Sequence, residues 1–301
     1  MDIRIHSRDK HRVFGYYFKL IRDLLVKVKA FRPLQYADLF CGDGKCVIAS
    51  TSKIYSPPII DSILKPAAEH KEFSVRCFLN DLDQNKTEEM RKNTKDYAEF
   101  IEEIEHKDAN EYYKEILKKI PPDKFSIFLL DPYNHSQLKW STIKGISEHT
   151  HVYGNGKIRR PELVINLMVY TMAGSYMAKS YNSINESLGT DSWLKEIDKN
   201  KEAGIAQPIF TAFFAVFKRQ LESLGYKVPT PIAIETAENN NPIYFIVWAT
   251  NEEGYNIIER HLIPNAKKMA EKAHKEDKGE LKRAKAGVEC LEKWCEPDVT
   301  K

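Results

Sequence analysis

Apolar residues recur along this chain with two different periods. From about His11 to Lys29, Phe14, Tyr17, Phe18, Ile21, Leu24, Leu25 and Val28 fall at helical spacing, with Arg22, Lys27 and Lys29 among the polar positions. That pattern predicts an opening helix that covers a sheet, stopped by Pro33. Short apolar runs follow at 36–40, 73–80, 125–130, 163–168, 232–234 and 244–249. Their lengths and flanking turn residues predict strands, and Phe125–Leu130 has the unbroken apolar character of a central strand buried on both faces. The link Glu238-Asn239-Asn240-Asn241-Pro242 suits a hairpin at the sheet edge.

Between these runs the spacing predicts helices over 84–95 and 111–119, and an amphipathic helix carrying Phe210, Phe213, Phe214, Phe217 and Leu221, closed by Gly225. Ser56-Pro57-Pro58 predicts a turn leading into a short apolar helix. The stretch from Tyr97 to Glu105 reads as a charged connection. Residues 171–205 are polar and helix-biased without a clean apolar period, which predicts a helical cap over the cleft. The expected organisation is one α/β domain over 1–263, with a mostly parallel sheet of seven strands, helices on both faces and an antiparallel edge hairpin. A charged helical extension over 264–301 follows, with Leu281, Ala284, Val288, Leu291 and Cys295 as a modest apolar seam. Its alternating charge suits a solvated face, and the seam suits packing on the domain or a partner.

Composition narrows this little. A net charge of +3 argues neither for nor against nucleic acid, so local basic patches must decide. No run of 18 apolar residues and no signal-peptide core occurs, which gives a cytoplasmic expectation without a membrane partner. Five cysteines at irregular spacing suggest reduced thiols, and Cys290 with Cys295 lacks a second pair to complete a zinc site. No metal is expected.

Candidate chemistry begins at Tyr36-Ala37-Asp38-Leu39-Phe40-Cys41-Gly42-Asp43-Gly44, a buried strand running into a glycine turn. In a parallel sheet such a turn sits at the carboxyl end of the first strand, where ligands collect. The acid and the G-x-G step suit an adenosine-containing cofactor. A dinucleotide would want a third glycine beneath its pyrophosphate, where this chain has Val47. S-adenosylmethionine carries no phosphate and needs only the turn and nearby polar groups. Asp38, Phe40, Gly42 and Gly44 are therefore candidate cofactor residues, with Asp38 at the amino-acid end. Asp81 or Asp83, after the second strand, offers two acceptors for ribose hydroxyls or caps the next helix; we assign ribose to Asp81 and the cap to Asp83. Asp108 suits the adenine amino group and a helix cap equally.

The central strand ends in Asp131-Pro132-Tyr133. An exocyclic base amine is a poor nucleophile because its lone pair is delocalised into the ring. A side-chain oxygen (Asp131) and a backbone carbonyl (Pro132) gripping its hydrogens favour a pyramidal nitrogen, and Tyr133 can stack on the base. An Asp-Pro turn after a strand explains the same residues equally well. Lys157, Arg159 and Arg160 form the densest basic cluster expected beside this site: a solvated loop by default, a phosphate contact as the alternative. Cytosine-C5 chemistry is excluded, because it needs a cysteine nucleophile after proline and the chain has no Pro-Cys.

The ordered set of features resembles the three-Cys-motif partner family over most of residues 10–260. The matching pieces are Lys10-His11, Tyr36–Gly44, Ser56-Pro57, Asp81-Leu82-Asp83, Phe128–Tyr133, Leu163–Leu167, Leu188–Trp193 and Tyr244–Thr250. Two departures stand out: one proline after Asp131 where amino-methylating enzymes usually carry two, and no proline near Asp43. The resemblance implies a Rossmann-like methyltransferase fold and a separate partner, a radical-S-adenosylmethionine-like protein bearing three cysteines. Two functions then compete: an S-adenosylmethionine-dependent methyltransferase acting on a nucleic-acid base amine, and a catalytically weak scaffold acting with that partner.

Overall fold

The computed structural model describes residues 2–3, 5–27, 33–48, 53–55, 59–152, 156–235, 241–265 and 268. Seven strands form one sheet: β1 (Leu34–Asp38), β2 (Val75–Asn80), β3 (Ile101–Glu105), β4 (Ser126–Leu130), β5 (Glu162–Leu167), β6 (Ile232–Glu235) and β7 (Pro242–Ala249). Their spatial order is β6-β7-β5-β4-β1-β2-β3, and only β7 runs antiparallel to its neighbours. This is the Rossmann-like, mostly parallel arrangement with an edge hairpin. Strand order reverses between β1 and β4, which opens a crevice at their carboxyl ends.

Helices cover both faces. On one side lie α1 (Ile5–Lys27), the helical segment Ile60–Leu64 continuing into α2 (Lys65–Glu69), α3 (Gln84–Asn93) and, towards the carboxyl end, α10 (Glu252–Ile257). On the other lie α4 (Ala109–Lys119), α5 (Trp140–Ser147), α6 (Val169–Met177), α7 (Tyr181–Leu188), α8 (Trp193–Glu202) and α9 (Pro208–Ser223). β4 shows why the sheet needs both layers: Ile127 and Leu129 enter the α1-side core, Phe128 and Leu130 the opposite one. α1 buries Val13, Phe14, Tyr17, Phe18 and Ile21, with the Phe18 ring edge-on to Tyr36 at 5.5 Å and Tyr17 6.0 Å from Trp248. Each such side chain contributes about 1.5–3 kcal/mol on leaving water, which holds the helix in its orientation over the sheet.

Three expectations change. The charged stretch before Glu105 contains a strand, β3; as an edge strand with only Ile104 buried, it tolerates three glutamates that a central strand would not. α1 starts at Ile5, a turn and a half before His11. Residues 171–205 do not form a lid: α7 and α8 bury Ile184, Leu188, Trp193 and Ile197 against α9, with Trp193 5.6 Å from Phe213. The Ser56-Pro57-Pro58 turn, most of the 238–242 link, and Leu281 to Cys295 with their seam lie outside the described residues. Cys41 and Cys77 are buried free thiols. Among the described residues, no helix is long and apolar enough to cross a membrane.

Candidate functional site

A cleft of about 710 Å³ opens at the carboxyl ends of β1, β2, β4 and β5. Asp38, Phe40, Gly42, Gly44, Asp81, Asp108, Asp131, Pro132 and Tyr133 all border it. Register explains part of this gathering. Tyr36, Leu129 and Val164 face the α1 layer, and two residues further along each chain stand Asp38, Asp131 and Asn166. Side chains alternate along a strand, so these three polar groups share that face, just where apolar packing gives way to the crevice.

Each acid is held in place. Asp38 is buried and accepts from the Phe40 N–H at 3.0 Å and the Tyr36 hydroxyl at 3.3 Å. Desolvation, reinforced by the Asp131 and Asp81 charges, pushes its pKa up to about 7 against the two hydrogen bonds that lower it. Asp81 accepts from the Gly42 N–H at 3.1 Å and the Asp83 N–H at 3.0 Å, with the Lys86 ammonium at 3.5 Å. Those bonds leave further lone pairs on both oxygens. Asp83 caps α3 by accepting from Asn85 N–H, as expected. Asp108 caps α4, its Oδ1 accepting from Asn110 N–H at 2.9 Å, while it also borders the cleft. Gly42 and Gly44 have φ of +69° and +74°, the left-handed region that favours glycine.

Asp131 lies between two donors. The Lys10 ammonium is 2.7 Å from Oδ2, and Asn166 Nδ2 is 2.8 Å from Oδ1. Lys10 also stands 5.8 Å from the centre of the Tyr244 ring. Asn166 is 3% exposed and its Oδ1 has no hydrogen-bond partner among the described residues. The Pro132 carbonyl receives no hydrogen bond among the described residues. Tyr133 is 72% exposed, its N–H donating to Gln137 Oε1 at 2.7 Å. Neither Lys10 nor Asn166 was expected at the site. The signal for Asn166 was a polar residue interrupting an apolar strand; Lys10 had only its place at the head of an amphipathic helix. From the 171–205 segment only Thr171 borders the cleft, with Tyr170 just before it.

The basic cluster lies elsewhere. Lys157, Arg159 and Arg160 precede β5 and line a second cavity, of about 600 Å³, at the amino ends of β4 and β5. There Lys157 pairs with Glu253, Arg159 donates to the Asp123 carbonyl at 3.0 Å, and Arg160 packs on Gly225. The floor of that cavity holds Glu162, buried and accepting from Tyr17 at 2.9 Å and Thr250 at 2.5 Å. These cations are therefore not beside Tyr133 but across the sheet from it.

No family model and no curated protein matches the chain. Among solved structures, a DszA carbon methyltransferase is similar at 16% identity and a TM-score of 0.40, over 79% of this chain. The chain spans about half of that structure, 54% of its length. Protein LPL1258 from Legionella pneumophila str. Philadelphia 1, of family DUF519, is similar at 11% identity and a TM-score of 0.48, over 86% of this chain and 91% of its own.

Proposed function

We propose that the protein is an S-adenosylmethionine-dependent methyltransferase acting on an exocyclic amine of a nucleic-acid base. The observation that carries this reading is the single cleft in which the glycine turn and Asp81 meet Asp131-Pro132-Tyr133. The residues present suit an adenosyl group without phosphate. Nothing lies within 4 Å of the point where a side chain on Gly42 would begin, so backbone approach there is open. In this reading Asp38 receives the ammonium, Lys10 the carboxylate, Asp81 the ribose hydroxyls and Asp108 the adenine amino group. The cofactor, when bound, supplies an electrophilic methyl group.

The chain's own residues do the rest. Asp131 and the Pro132 carbonyl accept the two amine hydrogens, drawing the nitrogen lone pair out of the ring, and Asp131 takes the proton released. Asn166 and Lys10 hold the Asp131 carboxylate in place, one on each oxygen. Tyr133 stacks on the base. Calorimetry with S-adenosylmethionine tests the first half, and radiolabelled methyl transfer to DNA, tRNA and rRNA pools tests the second. Asp81→Ala should weaken cofactor binding by about 1–3 kcal/mol, the scale of losing charged hydrogen bonds; an unaltered dissociation constant would move the ribose to another acid.

One observation favours a second reading. Asp131 is already paired with Lys10 and Asn166, which suits a protein that binds cofactor and spends this carboxylate on structure. Such a chain would be a scaffold for a radical-S-adenosylmethionine-like, three-cysteine partner. Cofactor binding without transfer to any of the three pools would favour it.

A further inference from the structure

Two tyrosines at the cleft mouth stand in water on backbone that is firmly tied down. Tyr133 is 72% exposed and Tyr170 54%. The turn after Tyr133 is closed by Asn134 Oδ1, which accepts from the Ser136 N–H at 3.0 Å and hydroxyl at 2.6 Å, and by Gln137 on the Tyr133 N–H. His135 then rivets this turn to the helices behind it. Its N–H donates to Thr171 Oγ1 at 3.2 Å, its Nδ1 lies 3.0 Å from the same oxygen and its Nε2 3.0 Å from Ser183 Oγ, and the Ser187 hydroxyl donates to its carbonyl at 2.6 Å. Thr171 directly follows Tyr170. Both residues therefore stand on one hydrogen-bonded frame, so little backbone ordering is left to lose when a flat ligand stacks on their rings.

The adjoining rim is built the same way and carries two lysines. Asn110 Nδ2 donates to the Gln137 carbonyl at 3.0 Å, and Asn110 Oδ1 accepts from the Lys139 N–H at 2.9 Å and Thr142 Oγ1 at 2.8 Å, joining the turn after β4 to the start of α4. Lys107 and Lys139 border the cleft on these two segments. Their ion-pair partners are Glu115 at 2.8 Å and Glu105 at 3.9 Å for Lys107, and Glu186 at 3.5 Å for Lys139. Exposed pairs of this kind are weak, so phosphates compete well for both ammonium groups and release counterions as they bind.

We propose that Tyr133, Tyr170, Lys107 and Lys139 form a contact surface for single-stranded nucleic acid. The two rings take bases, the two lysines take flanking phosphates, and Lys157 and Arg159 at the far end of the sheet take no part. This rests on the reading of the cleft as one that modifies a base. The chemistry recognised, a sugar-phosphate strand with unstacked bases, is common to RNA and DNA.

The test is fluorescence anisotropy on the full chain with a labelled mixed-sequence oligonucleotide, RNA in one arm and DNA in the other, each also as a duplex. Single strands should bind more tightly than duplexes. The Tyr133→Ala/Tyr170→Ala pair should weaken binding about tenfold or more, the scale of losing a stacked base. Lys107→Gln/Lys139→Gln should weaken it too and flatten the salt dependence by roughly 0.7 per lost phosphate contact. Lys157→Gln/Arg159→Gln should change neither, and thermal melts should show all three variants folded. Wild-type affinity in both mouth variants, an equal loss in the far-end variant, or equally effective competition by polyglutamate would overturn the proposal. The assay needs no methyl transfer: failure here with S-adenosylhomocysteine still bound condemns the surface and the stacking role of Tyr133, whereas loss of cofactor binding condemns the methyltransferase reading.

Discussion

The Lys10 ammonium sits 2.7 Å from Asp131 Oδ2, joining the first helix to the end of the central strand across 121 residues of chain. The two side chains are 14% and 20% exposed, so the pair is neither a surface contact nor fully dry. Removing Lys10 leaves the Asp131 charge beside Asp38 with only Asn166 on it. Lys10→Met should lower the unfolding free energy by about 1–3 kcal/mol, between the exposed and buried limits for ion pairs. Urea denaturation of Lys10→Met, Asp131→Asn and the double variant gives the coupling directly. Additive effects would mean that the pair does not persist in solution.

Asp131 also carries the proposed chemistry. Asp131→Ala should abolish transfer of a radiolabelled methyl group and leave the affinity for S-adenosylhomocysteine nearly unchanged, because Asp38, Asp81 and the glycine turn remain. Filter binding of product and calorimetry read the two quantities separately. Transfer retained by the variant removes Asp131 from the mechanism.

Asp38 predicts a pH dependence. Its pKa of about 7 in the folded chain lies above the ordinary 3.8, so the folded state binds the proton more tightly. That contribution to stability is complete below about pH 4 and is lost as the pH rises through about 7. Denaturation of the free protein should therefore become easier over that range, and Asp38→Asn should remove this part of the slope. A ligand ammonium beside Asp38 demands the carboxylate form. S-adenosylhomocysteine should accordingly bind more tightly as the pH rises from about 6 to about 8, with proton release visible as a buffer-dependent calorimetric heat. No proton release would place the ammonium elsewhere.

The two turn glycines should separate by variant. Both have positive φ, which costs an alanine about 1–2 kcal/mol. At Gly44 the new methyl would also stand 3.0 Å from Met90 Sδ and 3.2 Å from Asn93 Cβ, whereas at Gly42 it meets nothing within 4 Å. Gly44→Ala should thus lose more stability than Gly42→Ala, while Gly42→Ala loses more cofactor affinity by placing its methyl in the crevice. Melting curves and calorimetry on the pair check both orders.

Much of this architecture was readable from apolar runs. β4 announced itself as a central strand, and the nine residues from Asp38 to Tyr133 assigned to cofactor and amine do share one cleft. What escaped was decided by neighbours distant in sequence. β3 hid because an edge strand needs only Ile104 fully inward, which leaves Glu102 exposed and Glu103 and Glu105 half-buried where a central strand would be apolar. Asn166 and Lys10 acquire meaning only through Asp131, which no local pattern connects to them. Lys157, Arg159 and Arg160 were misplaced because closeness along the chain was taken for closeness in space. In a parallel sheet the crossover through α5 carries the chain back to the amino end of β5, so residues just before that strand stand on the opposite rim.

The lone reversed strand has an effect beyond topology. Because β7 runs against β5, its first residues arrive where the parallel strands finish, and Ile243 and Tyr244 become part of the cleft wall. What looks on a diagram like a detachable border is thus masonry of the chamber itself. A chain cut short ahead of Pro242 would breach that wall from the side, taking away the aromatic ring beside Lys10 while Asp38, Asp81, Asp108 and Asp131 were all still present.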